Sequence, residues 1–183
     1  LMATPAIAGI SGTAHDLSTG GPQGGTGVDE VCVFCHTPHG GVNDFPLWNR
    51  TNVNATGAYS STSLNATVGA VPGEAGACLS CHDGASLANA GTIVNPPNNG
   101  TLVVTGLTLS TGANIGTDMS NDHPVGFTYD TALATADTEL TTPASAAAVD
   151  ANGTLPLFGG EMWCSTCHDV HDNSFPPFLN MSN

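Results

Sequence analysis

The chain has 183 residues, of which 15 are acidic and a single one is basic, so its formal net charge is -14 at pH 7. Nucleic acids and anionic membrane surfaces repel a protein of this charge, which argues against both as partners. The chain contains 23 glycines, 12 prolines and only 5% aromatic residues, so it can bury little apolar area of its own. It has no run of about 18 apolar residues, and no membrane span is predicted.

Residues 1–183 are expected to form one domain, because this length suits a single domain of ordinary size. The start of the chain, LMATPAIAG, is typical of the end of a secretory signal, since Ala6 and Ala8 flank Ile7 in small-x-small form. Residues 1–10 are therefore interpreted as a signal-peptide remnant or an assembly arm. The expected location is extracellular or at the cell surface, with the periplasm as the alternative.

Three copies of one short motif use all six cysteines: CVFCH at 32–36, CLSCH at 78–82 and CSTCH at 164–168. C-x-x-C-H is the attachment signature of c-type haem. The two thiols add to the two vinyl groups of the porphyrin, and the histidine binds the iron from the proximal side. The sequence predicts three haem c groups, which we number in motif order. The predicted attachment residues are Cys32, Cys35, Cys78, Cys81, Cys164 and Cys167, and the predicted proximal ligands are His36, His82 and His168.

Other uses of these cysteines fit less well. Zinc typically needs two C-x-x-C pairs per site, and three pairs do not divide evenly. Thioredoxin-like dithiols would need βαβ surroundings, and disulfides would leave the three histidines unexplained. Haems would also supply the apolar bulk that the chain lacks. The predicted fold is therefore mostly irregular, with few short helices and minimal strand, as a small single-domain multihaem cytochrome whose polypeptide wraps around closely packed haems.

Four histidines remain as distal ligands: His15, His39, His123 and His171. His39 and His171 each follow a proximal histidine by three residues, a stretch too short to pass around the edge of the porphyrin. Each should therefore serve a different haem, and we predict His39 on the third haem and His171 on the first. His123 precedes Pro124, which favours an extended loop, and it is preferred for the second haem. His15 is then either an ordinary histidine or the ligand of a haem in a neighbouring molecule.

Methionine ligation by Met119 or Met162 is the alternative for any of the three sites. Several aspartates flank the histidines, and they are expected either to form turns or to accept a hydrogen bond from the ring of a ligand histidine. These aspartates are Asp16, Asp83, Asp118, Asp122, Asp169 and Asp172.

The secondary structure is predicted to be sparse. Short helical turns are expected at each C-x-x-C-H motif, and residues 101–109, TLVVTGLTL, are expected to form a short strand. Residues 120–129 are predicted to be a turn-rich ligand loop. Residues 132–148 favour a weak helix, but Pro143 and the threonines favour irregular structure.

Six segments in chain order carry a resemblance to a known family: HDLS, CVFCHTPHGG, PLWNR, CLSCHDG, SNDHPVGF and CSTCHDVHD. They resemble exported multihaem c-type cytochromes of dissimilatory metal-reducing bacteria, over the length from His15 to Asp172. The resemblance implies bis-histidine haems, low potentials and electron transfer across the cell envelope. Some similar extracellular cytochromes polymerise into conducting filaments, in which a histidine of one subunit can ligate a haem of the next.

The expected function is electron transfer through three covalently bound bis-histidine haems, as a subunit of an extracellular filament or, alternatively, as a soluble or envelope-bound monomeric carrier. The expected partners are other redox proteins, extracellular acceptors such as metal oxides, and further copies of the chain. A multihaem reductase would need one open iron, and multihaem nitrite reductases often carry lysine in place of a proximal histidine. This chain has no lysine and four spare histidines for three irons, so no enzymatic activity is expected.

Overall fold

The structure is a computed structural model that describes residues 9–24, 26–42, 45–69, 74–97, 104–143 and 155–182. Within these ranges the α-helices are α1 (Glu74–His82), α2 (Thr131–Ala136) and α3 (Cys164–Cys167), and the strands are β1 (Phe127–Thr128) and β2 (Glu161–Met162). Three single turns of 3-10 helix cover Val31–Phe34, Ala90–Thr92 and Met119–Asn121. The prediction of a mostly irregular chain with few short helices and minimal strand is confirmed. Residues 1–8 of the predicted N-terminal segment lie outside the described residues.

Each C-x-x-C-H motif begins in a helical turn, as predicted: one in the 3-10 turn Val31–Phe34, one at the end of α1 and one in α3. Helix α1 begins with Glu74, whose carboxylate is favourable at the positive end of the helix dipole. It ends at His82, and Gly84 follows in the left-handed region with φ of 82°. A side chain on Gly84 would place its Cβ 2.6 Å from Asn114 Oδ1, so glycine allows the chain to turn away here.

The prediction of a strand at residues 101–109 is wrong for residues 104–109, the described part, which form a turn and irregular structure. The chain turns at Thr105 and Gly106, and the Leu107 N–H donates to the Val104 carbonyl oxygen at 3.1 Å. This turn directs Val104 and Leu107 into the same apolar cluster, where both are buried. Burial at a spacing of three residues therefore prevails over the β-propensity of the valines and threonines. Residues 101–103 lie outside the described part of the chain.

Strands β1 and β2 form an antiparallel pair, with Phe127 opposite Met162. Helix α2 follows β1 directly, and the carboxylate of Asp130 caps it by accepting from the Leu133 N–H at 2.8 Å. The segment 132–148 thus begins as a helix that ends at Ala136. Residues 144–148 lie outside the described residues.

The apolar side chains form three small clusters instead of one large core. Phe34, Leu87 and Ile93 belong to the first, against which Cys35 and Cys81 pack. The second cluster includes Leu79, Met119 and Val125, with Cys164 at its edge, and the third lies around Phe127 and Tyr129. Three of the six cysteines, Cys35, Cys81 and Cys164, therefore lie at the margins of these clusters. No helix in the described ranges is both long and apolar enough to cross a membrane.

Candidate haem-binding sites

The three proximal histidines share one hydrogen-bonding arrangement. In each, the ring atom Nδ1 lies within hydrogen-bonding distance of a backbone carbonyl oxygen. His36 pairs with Pro46 at 3.1 Å, His82 with Ala113 at 2.7 Å and His168 with Pro177 at 3.0 Å. A carbonyl can only accept, so Nδ1 carries a proton, and in the neutral ring this leaves the lone pair on Nε2. Metal-ligating histidines are typically held in this way, with one ring nitrogen bonded to the protein and the other free for the metal.

The first and third motifs are two copies of one backbone module. In both, a proline supplies the carbonyl for the proximal histidine, and the next residue has positive φ, 59° at Leu47 and 60° at Phe178. In both, the residue after the proximal histidine donates its N–H to that positive-φ residue, Thr37 to Leu47 at 2.8 Å and Asp169 to Phe178 at 2.8 Å. The module therefore folds the chain back under the proximal imidazole.

An asparagine ends each copy of this module. The backbone N–H of Asn49 donates to the Cys35 carbonyl at 2.8 Å, and that of Asn180 donates to the Cys167 carbonyl at 2.9 Å. Each asparagine side chain also donates into the loop between the two cysteines, for example from Asn49 to the Val33 carbonyl at 2.8 Å. The sequence signal is FPLWN at 45–49 and FPPFLN at 175–180. Sequence reasoning missed this repeat because it compared only the C-x-x-C-H motifs.

His36 faces the imidazole of His171. Their ring centroids are 6.2 Å apart, and the ring planes differ by 21°. Two imidazoles bound to one metal from opposite sides have centroids about 6 Å apart, because a metal–nitrogen bond is about 2 Å and the nitrogen lies roughly 1 Å from its ring centre. The structure thus brings together the two residues predicted for the first haem, at a centroid separation compatible with one iron between them.

His82 faces His15 at nearly the same separation, with centroids 6.1 Å apart and planes inclined by 71°. The His15 ring also packs on Phe178, at a centroid distance of 4.3 Å. Burial, with smaller contributions from the positive charges of His82, His171 and His168, lowers the pKa of His15 to about 4. His15 is therefore neutral at pH 7, and a neutral imidazole has the lone pair that a metal needs.

The distal assignments of His123 and His39 are not the ones that the geometry favours. His15, and not His123, lies opposite His82, and the imidazoles of His123 and His39 are on the exposed surface. Among the described histidines, the facing pairs are His36 with His171 and His82 with His15. His39 is therefore not paired with His168. Pro124, on which the preference for His123 rests, carries no information on His15, which reaches the second motif only through the fold.

The three motifs lie close together, with the second in the middle. The neighbouring thiol of Cys164, together with burial, raises the pKa of the Cys78 thiol. The Ser165 N–H donates to the Glu74 carboxylate at 2.8 Å. On the other side of α1, Cys81 and Cys35 pack against the same apolar cluster. Burial, with the nearby Cys81 adding to it, raises the pKa of the Cys35 thiol to about 12. Three attachment sites in such contact would hold their haems within a short distance of one another.

These residues fit haem better than a bare metal ion. Each motif offers two unpaired thiols and an imidazole with a free Nε2. In the described part of the chain, no group of three or more histidine, cysteine or acidic side chains is arranged to hold a metal ion. Haem supplies four nitrogen ligands itself and requires only two from the protein, which is what two of the three sites present.

The other candidate residues have structural roles. Met119 is buried in the second cluster, and Met162 lies in β2 opposite Phe127. Four of the aspartates close turns or caps by accepting from backbone N–H groups within four residues: Asp16, Asp83, Asp118 and Asp172. Asp169 also closes a turn, since it accepts from the His171 N–H at 2.8 Å, and its carboxylate lies 3.5 Å from His171 Nδ1.

No protein-family model matches this chain, and no curated protein sequence matches it.

Proposed function

We propose that this protein carries electrons through three covalently attached c-type haems. The observation that carries the proposal is the pairing of each of two motif histidines with a second imidazole, at centroid distances of 6.1 and 6.2 Å. Both distances match the spacing of about 6 Å expected across one iron. Dithiol or disulfide functions give no reason for a distant histidine to lie opposite the histidine of a C-x-x-C-H motif.

The chain's own residues would anchor, orient and enclose these groups. The paired cysteines would form the thioethers, and the carbonyls of Pro46, Ala113 and Pro177 would hold the proximal imidazoles in one tautomer. His171 and His15 would take the opposite side of the first and second iron. When bound, bis-histidine haem supplies reversible one-electron chemistry and leaves no open iron position for a substrate. Two of the three sites would therefore be closed to a substrate, which favours a carrier over a reductase.

The test is to export the protein from a host that matures c-type cytochromes and to measure its haem content and spin state. We expect three haems per chain by pyridine haemochrome assay and low-spin iron(III) signals by electron paramagnetic resonance. Rapid carbon monoxide binding by a large share of the reduced haems would contradict bis-histidine ligation at the first and second sites. A protein with three haems and such binding would instead favour the reductase.

The third site gives a specific reason to propose a polymer. His168 has no facing imidazole among the described residues, while His39 and His123 are both exposed. An exposed histidine of a second copy could complete the third site, and head-to-tail contacts that do not close generate a filament. In that form the protein would be an extracellular conductor between redox proteins and acceptors such as metal oxides. The alternative is a soluble or envelope-bound monomeric carrier.

Electron microscopy of the exported protein distinguishes the filament from the monomeric carrier. The samples are the wild type and the variants His39→Ala and His123→Ala. A filament with a regular repeat is expected for the wild type, and one of the two variants should give discrete particles with one high-spin haem. Discrete wild-type particles with three low-spin haems would contradict the polymer and leave the carrier. The exposed substitution Asn54→Ala is the matched control and should assemble as the wild type does.

A further inference from the structure

Arg50, the only lysine or arginine of the chain, is fully buried beside the second motif. Its guanidinium donates to the carbonyl of Ser80, between the two cysteines of that motif, at 3.0 Å from Nη2 and 3.3 Å from Nε. Further bonds reach the Ser86 carbonyl at 2.8 Å and the Thr92 hydroxyl at 2.8 Å. All of these partners are uncharged. The guanidinium is therefore a full positive charge held in the interior without an ion pair among the described residues.

The carboxylate of Asp83 offsets the positive charge of Arg50 only in part. Asp83 follows His82, and its oxygens accept from Ala85 and Ser86 at 2.6 to 2.9 Å instead of from the guanidinium. Asp83 is also partly exposed, whereas Arg50 is fully buried. Water and salt screen an exposed charge far more than a buried one, so the field of Arg50 should dominate at the second motif.

The two distal imidazoles, those of His171 and His15, also differ in the groups that lie beside their Nδ1 atoms. His171 Nδ1 lies 3.5 Å from the carboxylate of Asp169, which also accepts from the His171 backbone N–H at 2.8 Å. His15 Nδ1 is buried, and no described protein atom accepts from it. A carboxylate bonded to a ligand histidine makes that histidine more basic and favours the oxidised iron. At the first site a half-exposed carboxylate lies 3.5 Å from the distal imidazole, and at the second site a cation is buried beside the motif.

We propose that Arg50 and Asp169 set the order of the reduction potentials. Arg50 raises the potential of the haem at the second motif, and Asp169 lowers the potential of the haem at the first motif. The inference rests on the proposed haem attachment. Reduction adds one electron and lowers the charge of the site by one, so a buried cation favours the reduced state and a carboxylate opposes it. The central motif, which contacts both others, is thus where the first electron resides.

The test is an optical redox titration of the holoprotein, in which an electrode supplies one electron to each iron(III). Arg50→Gln should shift the highest midpoint to lower potential, and Arg50→Lys, which keeps the charge, should restore it. Asp169→Asn should shift a different midpoint to higher potential. Asp172→Asn is the matched control, because its carboxylate binds Ser174 and no imidazole, and it should leave the midpoints unchanged.

Two outcomes would overturn the inference: Arg50→Gln and Asp169→Asn shift the same midpoint, or neither moves one while three haems are present. A haem count below three in the wild type would instead contradict the proposed function. If Arg50→Gln does not assemble, Asp83→Asn decides, because removal of the opposing charge at the second motif should raise the highest midpoint. An unchanged highest midpoint in Asp83→Asn would overturn the assignment to the second haem.

Discussion

Asn49 offers a test of how the chain holds its first motif. The side chain is 1% exposed and makes three hydrogen bonds. Its Nδ2 donates to the carbonyls of Val33, at 2.8 Å, and of Asn95, at 2.9 Å, and its Oδ1 accepts from the Asn95 N–H at 2.8 Å. It therefore ties the loop between Cys32 and Cys35 to Asn95, 46 residues further along the chain.

The substitution Asn49→Ala removes all three bonds and leaves three partly buried backbone groups without these partners. At about 1 kcal/mol net for each bond, the expected loss is about 3 kcal/mol of unfolding free energy. For a domain of this size, 1 kcal/mol corresponds to about 2–4 °C in the melting temperature, so a fall of roughly 6–12 °C is expected. The assay is thermal unfolding of the holoprotein followed by circular dichroism, with the haem content of each variant measured beforehand.

The second copy of the module supplies the matched comparison. Asn180 donates to Ser165 and Thr166 at 3.2 and 3.0 Å and is partly exposed, so water can replace its bonds. We expect Asn180→Ala to cost about 1 kcal/mol and exposed Asn54→Ala to cost less than about 0.5 kcal/mol. A melting temperature of Asn49→Ala equal to that of Asn54→Ala would refute the reasoning, since the three bonds would then contribute nothing.

Three further predictions follow from single residues. His15→Ala should leave one haem in three five-coordinate, seen as a high-spin resonance and as carbon monoxide binding by about a third of the haems; an unchanged low-spin spectrum would exclude His15 as a ligand. The hydroxyl of Ser18 and two backbone N–H groups lower the pKa of Asp16. The contribution of Asp16 to stability is complete above the usual aspartate pKa and is lost as the pH falls through the lowered value. Asp16→Asn should therefore flatten the acid limb of a plot of unfolding free energy against pH. Parallel plots for the variant and the wild type would contradict this. Gly126 has φ of 75°, and a Cβ there would lie 3.0 Å from the Trp163 ring, so Gly126→Ala should cost about 1–2 kcal/mol in denaturant unfolding. Gly112→Ala is the control, because nothing lies within 4 Å of its Cβ position, and equal costs would count against the account.

The sequence predicted the overall architecture because composition alone sets it. A chain with few aromatic residues and many glycines and prolines cannot form a large sheet or bundle, and the structure has three small clusters in their place. The helical turn at each C-x-x-C-H motif was equally predictable. The strand at 101–109 was not, because its local β-propensity is opposed by the burial of Val104 and Leu107 on the same side of a turn.

The distal histidines mark the limit of local reasoning. His171 follows its own motif by three residues, and that spacing alone required it to reach another site. His15 carries no such signal: it lies 63 positions before Cys78, the first residue of the second motif, and only tertiary folding brings it to His82. The FPLWN and FPPFLN repeat was visible in the sequence, but its role depends on the Pro46 and Pro177 carbonyls, which only the backbone conformation places under the imidazoles.

The most direct test of the central claim is the intact mass of the exported protein in denaturing solvent. Thioether bonds survive denaturation, so the account predicts the mass of the polypeptide plus three haems. Replacing both cysteines of one motif by serine should remove one haem and leave two. A mass equal to the polypeptide alone, or to the polypeptide less two hydrogens for each cysteine pair, would contradict the account and would mean that the three motifs hold free thiols or disulfides.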